Sequence, residues 1–384
     1  MRERSIDIAA AGRFHAHHLA TAFAGLGRLR DLYLSHRGFS PPPLVPRRSF
    51  HNRLDLVAQS FLLPRLGRTD TRSGIEARFD RWLAERLERK PPGVLHAWNG
   101  SAWHTLRRLQ GRDWTLCVER SCPHNEVQRD LLVEEGERLG LPFHWNRDAL
   151  ARAVEELHLA DVIVAPSRYS AASYRDEELA RKVRVNPLGA NVAYQERTRK
   201  EPGWNILMVG NNFLRKGTHY LIEAFKLLDR PEARLWLRAD VPPTYARRIT
   251  DSRIRILPPL LPGKLQALYR AADVFVQPSI DEGCGMTTLE ALGYGLPLVV
   301  TENVGSRDIL EPSVCLTVPI RNPQALAQAI VSARELPGSD FDAARSILVS
   351  RNSWSACAQR MDDEIYVKST KVQLLASDVQ THPL

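Results

Sequence analysis

Residues 272–300 read ADVFVQPSIDEGCGMTTLEALGYGLPLVV, and the rest of the chain is organised around them. Val274 to Val276 is a short apolar run of the kind a buried strand needs. A loop with Gly283 and Gly285 follows, then a helical pattern from Thr287 to Tyr294. Gly295 and Pro297 stop that helix, and Leu298 to Val300 begin another strand. A strand–glycine loop–helix–strand unit presents free backbone N–H groups at a helix N-terminus, where an anion such as phosphate is favoured. Two carboxylates bracket this point, Glu282 in the loop and Glu290 inside the helix. They would repel a bare phosphate. They make sense as hydrogen-bond acceptors for hydroxyl groups on a ligand that also carries phosphate, and sugar hydroxyls and a ribose fit. In the plainer alternative Glu290 merely suits the first turns of a helix and Glu282 is a solvated loop charge.

The chain has 384 residues, room for two domains of ordinary size. Hydrophobic residues make up 43% and charged residues 25%, the balance of a globular protein. No stretch is apolar over the length that spans a bilayer, and the opening MRERSIDIAAAG is too short an apolar run for a signal peptide. The five cysteines, at 117, 122, 284, 315 and 357, show neither zinc spacing nor a disulfide framework, and read as reduced thiols in a cytoplasm. Residues 1–120 hold 21 Lys+Arg against 11 Asp+Glu, whereas the remainder holds 32 against 33. All of the basic excess therefore lies in the first third. That asymmetry suggests an anionic partner for the first part, such as a membrane surface or a phosphorylated acceptor, or else a set of solvated arginines. No zinc-finger, homeodomain or RNA-binding signature points to nucleic acid.

Other strand patterns recur along the chain. Ser5 to Ala11 is followed by Gly12 and Arg13 at a strand-to-helix turn, another place for an anion. His15, His17 and His18 read as helix-face residues. Residues 37–72 carry several prolines and arginines with scattered apolar side chains, a surface excursion or a segment that touches acceptor or membrane. Arg78 to Arg89 reads as a charged helix. Val94 to Trp98 ends at Asn99 with His96 inside it, and Trp114 to Val118 runs into Glu119, Arg120, Ser121, Cys122, Pro123 and His124. In open α/β sheets ligands gather at such strand ends. Ala160 to Pro166 is a further buried strand, and 193–203 is polar, as a linker would be.

EGCGMTTLEALGYGLPLVVTENVGSRDIL, from Glu282 to Leu310, resembles the signature of the retaining glycosyltransferases of family 4, which have the GT-B fold. GRFHAHHLATAF resembles the opening of one bacterial subset of them, and ERSCPH and RKG resemble two of its further motifs. The resemblance implies an α/β GT-B architecture of two Rossmann-like domains with a cleft between them. The acceptor-binding domain would be 1–190, the linker 191–203 and the donor-binding domain 204–350. A helix over 351–368 would cross back to the first domain, and 369–384 would be a tail.

The same resemblance implies the site. Glu282 would hold donor-sugar hydroxyls and Glu290 the ribose, while the loop from Gly283, Cys284 and Gly285 to Met286 and Thr287 would meet sugar and diphosphate. Lys216 matches the family's diphosphate lysine. The family's arginine position is Asn211, so the clamp is Lys216 alone or Lys216 with Arg215. Gly12 and Arg13 would face the donor phosphates, and His96 and Asn99 the acceptor. The family's histidine near the donor sugar falls on His124 or Glu119. The reaction implied is a retaining hexosyl transfer from a nucleoside-diphosphate sugar to a glycan or lipid-linked acceptor. It would use no metal and no further cofactor, in the cytoplasm or at the inner face of an anionic membrane. An epimerase of the same fold, a non-catalytic nucleotide-sugar binder and a nucleic-acid binder are the competing classes.

Overall fold

The computed structural model describes residues 4–12, 14–35, 40–53, 55–56, 72–190, 195 and 202–366. Seven parallel strands form the first sheet in the order β3-β2-β1-β4-β5-β6-β7. They are β1 Ile6–Ala10, β2 Leu29–Leu34, β3 Phe50–Asn52, β4 Val94–Trp98, β5 Thr115–Glu119, β6 Val162–Ala165 and β7 Val183–Val185. The second sheet has six parallel strands in the order β10-β9-β8-β11-β12-β13. These are β8 Trp204–Val209, β9 Ala233–Arg238, β10 Ile254–Ile256, β11 Val274–Gln277, β12 Leu298–Thr301 and β13 Cys315–Val318. The central strands are buried from end to end, because helices cover both faces of a parallel sheet.

In each sheet the strand order reverses at one place, between β1 and β4 in the first and between β8 and β11 in the second. Connections diverge to opposite faces there and leave a crevice at the carboxyl ends of the strands. Gly12 and Asn99 follow β1 and β4, and the segments 210–217 and 278–285 follow β8 and β11. Both crevices therefore open where the sequence motifs sit.

Local signals explain the helices between the strands. The helix Asn125–Leu139 stops at Gly140, whose φ of 63° suits a residue without a Cβ. The Asn146 side chain accepts the Ala149 N–H at 2.9 Å and starts Arg147–Leu159. The charged helix expected from Arg78 begins at Arg72, because Ile75, Phe79, Leu83 and Leu87 form a buried i, i+4 stripe that runs back past the charged residues.

After β13 the chain forms Pro323–Ser332 and Asp340–Asn352, and then returns to the first domain. Trp354–Arg360 packs beside Ala16–Gly25, with the Trp354 backbone so near Gly189 that a Cβ there would lie 2.6 Å from its Cα. Arg28 donates to Asp362 at 2.6 Å, and Asn186 Nδ2 donates to the Cys357 carbonyl at 3.2 Å. One apolar cluster thus runs unbroken from Ile6 and Phe23 through Trp354 and Leu348 to Leu298. Among the described residues no helix is long and apolar enough to cross a membrane.

Candidate active site

The glycine loop is held both by the neighbouring segment and by its own helix. The Gly305 N–H donates to the Glu282 carbonyl at 2.9 Å, and the Ser306 N–H to the Cys284 carbonyl at 2.5 Å. Gly285 sits at φ 87° as the N-cap of Met286–Gly293, a conformation that would strain any other residue. The Thr288 hydroxyl donates back to the Gly285 carbonyl at 2.6 Å, and the Thr287 hydroxyl to Gln277 Oε1 at 3.0 Å. Gly217 is needed for a second reason besides its φ of 61°: a Cβ there would lie 2.0 Å from the Pro278 carbonyl. That close approach lays the RKG segment directly on the loop after β11.

As a result two cations converge on one buried carboxylate. The Lys216 ammonium donates to Glu282 Oε2, and Arg215 Nη1 lies 3.3 Å from the same oxygen. Burial raises the Glu282 pKa, but Arg215 and then Lys216 outweigh it and bring it down to about 2. Glu290 stands on the outer side of its helix and accepts the Tyr269 hydroxyl at 3.0 Å. Asn211, which the resemblance sets at the family's arginine position, accepts from Arg238 Nη1 at 3.1 Å. A guanidinium therefore does stand beside residue 211, delivered from the end of β9.

Glu119, at the end of β5, forms the opposite wall. It is almost wholly buried between two imidazoles, with His15 Nε2 at 2.6 Å from Oε1 and His96 Nε2 at 3.1 Å from Oε2. A carboxylate only accepts, so both rings present an N–H to it. Burial pushes the Glu119 pKa up, yet His15 and His96 hold it well below the ordinary range. The Ser121 hydroxyl donates to Glu119 at 3.0 Å, and the Tyr366 hydroxyl meets His96 Nδ1 at 2.8 Å from the returning C-terminal segment. His124 does not join this group. It caps Asn125–Leu139, accepting the Glu126 N–H on Nδ1 at 3.4 Å, and its ring packs edge-on against Tyr174. His96 stands behind Glu119 and is fully buried, whereas Asn99 lines a cavity in front of it.

The two walls touch. A Cβ on Gly283 would lie 2.1 Å from the Ser121 carbonyl, and one on Gly305 would lie 2.6 Å from Ser167 Cβ. Helix Asn125–Leu139 turns a polar face toward the second domain, where Gln128 Nε2 donates to Asp281. Seven residues further along, Glu135 accepts from Tyr220 at 2.7 Å and from Arg321 Nε at 2.8 Å, and pairs with His219 at 2.8 Å. Cys284 lies among these charges: burial first, then Glu282, with Glu119 also contributing, pushes its thiol pKa up. Both walls therefore bear on a single location.

The expected site residues consequently divide. Lys216, Arg215, Glu282, Gly283, Cys284, Gly285, Met286 and Thr287 lie along one loop system, and Glu119 faces it through Ser121. Gly12 is at φ 153°, where a Cβ would meet the Phe14 ring at 2.9 Å, and Arg13 lies outside the described residues. His15, Arg238, Ser121, Asp281 and Tyr366 were not legible as site residues. His15 carried a signal in the GRFHAHH segment, but its N-cap position before Ala16–Gly25 turns it off the helix face and toward Glu119.

Residues 203–335 match the family model described as glycosyl transferases group 1. The second domain is thus similar to the glycosyl transferases of group 1. The D-inositol 3-phosphate glycosyltransferase of Pseudarthrobacter chlorophenolicus is 28% identical over 311 residues, 71% of each chain. In fold the chain is similar to sucrose-phosphate synthase from Thermosynechococcus elongatus, with a TM-score of 0.66 at 18% identity over 97% of this chain and 100% of that one. It is also similar to HepE of Anabaena in complex with UDP and glucose, with a TM-score of 0.62 at 15% identity over 98% and 100%. The two-domain fold is GT-B, and together these likenesses support a GT-B glycosyltransferase. The matched residues include Arg215, Lys216, Glu282 and Glu290, whereas Glu119, His15 and His96 lie outside them.

Proposed function

We propose that the chain transfers a hexose, with retention, from a nucleoside-diphosphate sugar to an acceptor hydroxyl during synthesis of a cell-surface glycan or glycolipid. The convergence of Arg215 and Lys216 on Glu282, opposite the Glu119 wall, carries the reading. When the bond between the sugar's anomeric carbon and the diphosphate oxygen breaks, negative charge collects on the leaving diphosphate. The two cations and the N–H groups of Met286–Gly293 meet that charge. Fixed groups of this kind typically contribute about 3–4 kcal/mol apiece to lowering a barrier. Arg238 stands where it can add a third cation. Glu282 and the loop from Gly283 to Thr287 hold the sugar, Glu290 the ribose, and Asn99 and Glu119 face the acceptor. The acceptor oxygen bonds to the anomeric carbon on the face the diphosphate leaves, and its proton passes to the departing phosphate oxygen. The side-chain cations do the work for which other enzymes use a metal ion.

A donor of this class agrees with the UDP and glucose named for HepE. The basic excess of the first third would favour peripheral contact with an anionic membrane at the cytoplasmic face. The test is thermal stabilisation by UDP-, GDP- and ADP-sugars, followed by release of the nucleoside diphosphate. We expect one nucleotide series to stabilise the protein and to turn over. No stabilisation by any of them would remove the proposal.

A further inference from the structure

The Glu119 wall is one end of a chain of buried hydrogen bonds that starts on the returning C-terminal segment. Met361–Tyr366 forms a π-helical turn, and the Tyr366 hydroxyl meets His96 Nδ1 at 2.8 Å. His96 Nε2 meets Glu119 Oε2 at 3.1 Å, and Glu119 Oε1 meets His15 Nε2 at 2.6 Å. Tyr366 and Glu119 are 1% exposed and His96 is 0% exposed, so water replaces none of the bonds between them. Of the four, only His15 keeps an appreciable side-chain exposure, 13%. It lies in the turn between β1 and Ala16–Gly25, at the crevice where the strand order of the first sheet reverses. The returning segment braces that end as well. The Trp354 ring stacks on His15 at 5.4 Å and 26°, and Trp98 meets it edge-on at 5.1 Å.

Donor and acceptor roles place the protons along this chain. An ionised Glu119 only accepts, so each ring puts an Nε2–H on it. Were both rings charged, one carboxylate would face two cations, and His96, with no exposed surface, is where a charge is costliest. A neutral His96 offers a lone pair at Nδ1, and the Tyr366 hydroxyl fills it. Burial foremost, then Cys117 and Glu119, pushes the Tyr366 phenol pKa well up, so the hydroxyl keeps the proton it donates. Two rivals stand nearby. Cys117 Sγ lies 3.4 Å from the same Nδ1, but a thiol is the weaker donor. Met361 Sδ lies 3.6 Å from the Tyr366 hydroxyl, and a thioether is a weaker acceptor than an imidazole nitrogen. The relay therefore runs one way, from Tyr366 to His96 to Glu119. The Ser121 hydroxyl also donates to Glu119 Oε1 at 3.0 Å, so both carboxylate oxygens are engaged. With its Nε2–H committed to Glu119, His15 takes up or gives up a proton only at Nδ1.

We infer that Tyr366 is a positioning residue of the site: it fixes the tautomer of His96 and, through Glu119, that of His15, so that the crevice meets an imidazole whose exchangeable proton sits on Nδ1. An imidazole held in this way exchanges hydrogen bonds with a substrate hydroxyl without turning its ring. All four members of the relay lie outside the residues matched to the family model. The role deepens the transfer proposed above and rests on it only for the effect on turnover.

Ring-nitrogen NMR of the full chain carrying isotope-labelled histidine reads the tautomers with no donor or acceptor present. His96 is recognised by its ring contacts with Trp98 and Tyr366, and His15 by those with Trp98 and Trp354. At mildly alkaline pH both rings should be in the Nε2–H form. In Tyr366→Phe the ratio of that form to all others at His96 should fall about tenfold, the scale of one net hydrogen bond, and His15 should no longer hold a single tautomer. Cys117→Ala, which removes only the rival donor, should leave both rings as in the wild type. A wild-type His96 in the Nδ1–H or charged form overturns the inference, and this reading stands whether or not Tyr366→Phe folds. Unchanged rings in a folded Tyr366→Phe overturn it too, as do altered rings in Cys117→Ala. With the nucleotide sugar that the donor screen identifies, Tyr366→Phe should release nucleoside diphosphate about tenfold more slowly at an unchanged KM for donor. A wild-type rate despite altered tautomers overturns the positioning role. Failure of the donor screen removes the proposed transfer, whereas the tautomers still decide the relay.

Discussion

Gly283 and Ser121 lie in different domains, yet a single carbon added to Gly283 would come within 2.1 Å of the Ser121 carbonyl. The glycine loop and the Glu119 wall therefore meet backbone to backbone. Gly283→Ala should prevent that approach without disturbing either core. We expect kcat to fall about 100-fold, the scale for a misplacement of about 1 Å. The melting temperature should stay near that of Gly263→Ala, a control site with nothing within 4 Å of a new Cβ. Wild-type turnover in Gly283→Ala would show that the closed contact is not the working one.

Glu282 carries two cations, so its removal should expose them. Glu282→Ala should abolish turnover. At pH 7 it should also cost on the order of 3 kcal/mol, because Lys216 and Arg215 are then left partly buried without their counter-charge. Nucleoside diphosphate should restore more stability to the variant than to the wild type, since it supplies the missing negative charge. Differential scanning fluorimetry with and without the nucleotide measures this, and equal shifts in both proteins would contradict it.

The acid limb of stability follows from the same residue. The Glu282 pKa is depressed from 4.5 to about 2, so its contribution is complete above pH 4.5 and lost as pH falls toward 2. Burial also raises the Glu135 pKa, and His219 foremost among its partners draws it down to about 2, with the same sign. Urea titrations between pH 6 and 3 should show stability falling with acid, and a Glu282→Gln, Glu135→Gln double variant should flatten that slope. An unchanged slope would place the acid-sensitive groups elsewhere.

Glu135 joins helix Asn125–Leu139 to His219, Tyr220 and Arg321 of the second domain. Glu135→Gln weakens each of these contacts while keeping the shape. We expect the domains to separate, seen as a larger radius of gyration in solution scattering, with a KM for donor raised about tenfold and smaller effects within each domain. An unaltered radius together with an unaltered KM would show that closure is held by the remaining contacts.

Arg238 donates to Asn211 at 3.1 Å and so brings a guanidinium beside the residue that the resemblance sets at the motif's arginine position. Arg238→Ala should weaken nucleoside-diphosphate affinity about tenfold, the loss of one charge-assisted hydrogen bond. Lys216→Ala should weaken it further. Asn211→Arg in the Arg238→Ala background should recover affinity, and calorimetry of nucleotide binding decides it.

Much of this protein could be read along the chain. The strand–loop–helix unit with Gly283, Gly285 and Glu282 follows from periodicity and glycine geometry, which act over a few residues, whereas Lys216 and Arg215 were pointed to by the resemblance of the RKG segment. The two-domain α/β plan followed from the repetition of such units. What the chain order did not reveal was which groups meet. Glu119 is joined to His15 across 104 residues and to His96 across 23, while His124, the nearer histidine in sequence, turns away to cap a helix. The guanidinium beside Asn211 comes from a neighbouring strand, and the contact of Gly283 with Ser121 exists only because the domains close. Local chemistry sets what each residue is able to do. Only the packing of the two sheets, through strand order and the returning C-terminal helices, decides which charges share one buried space.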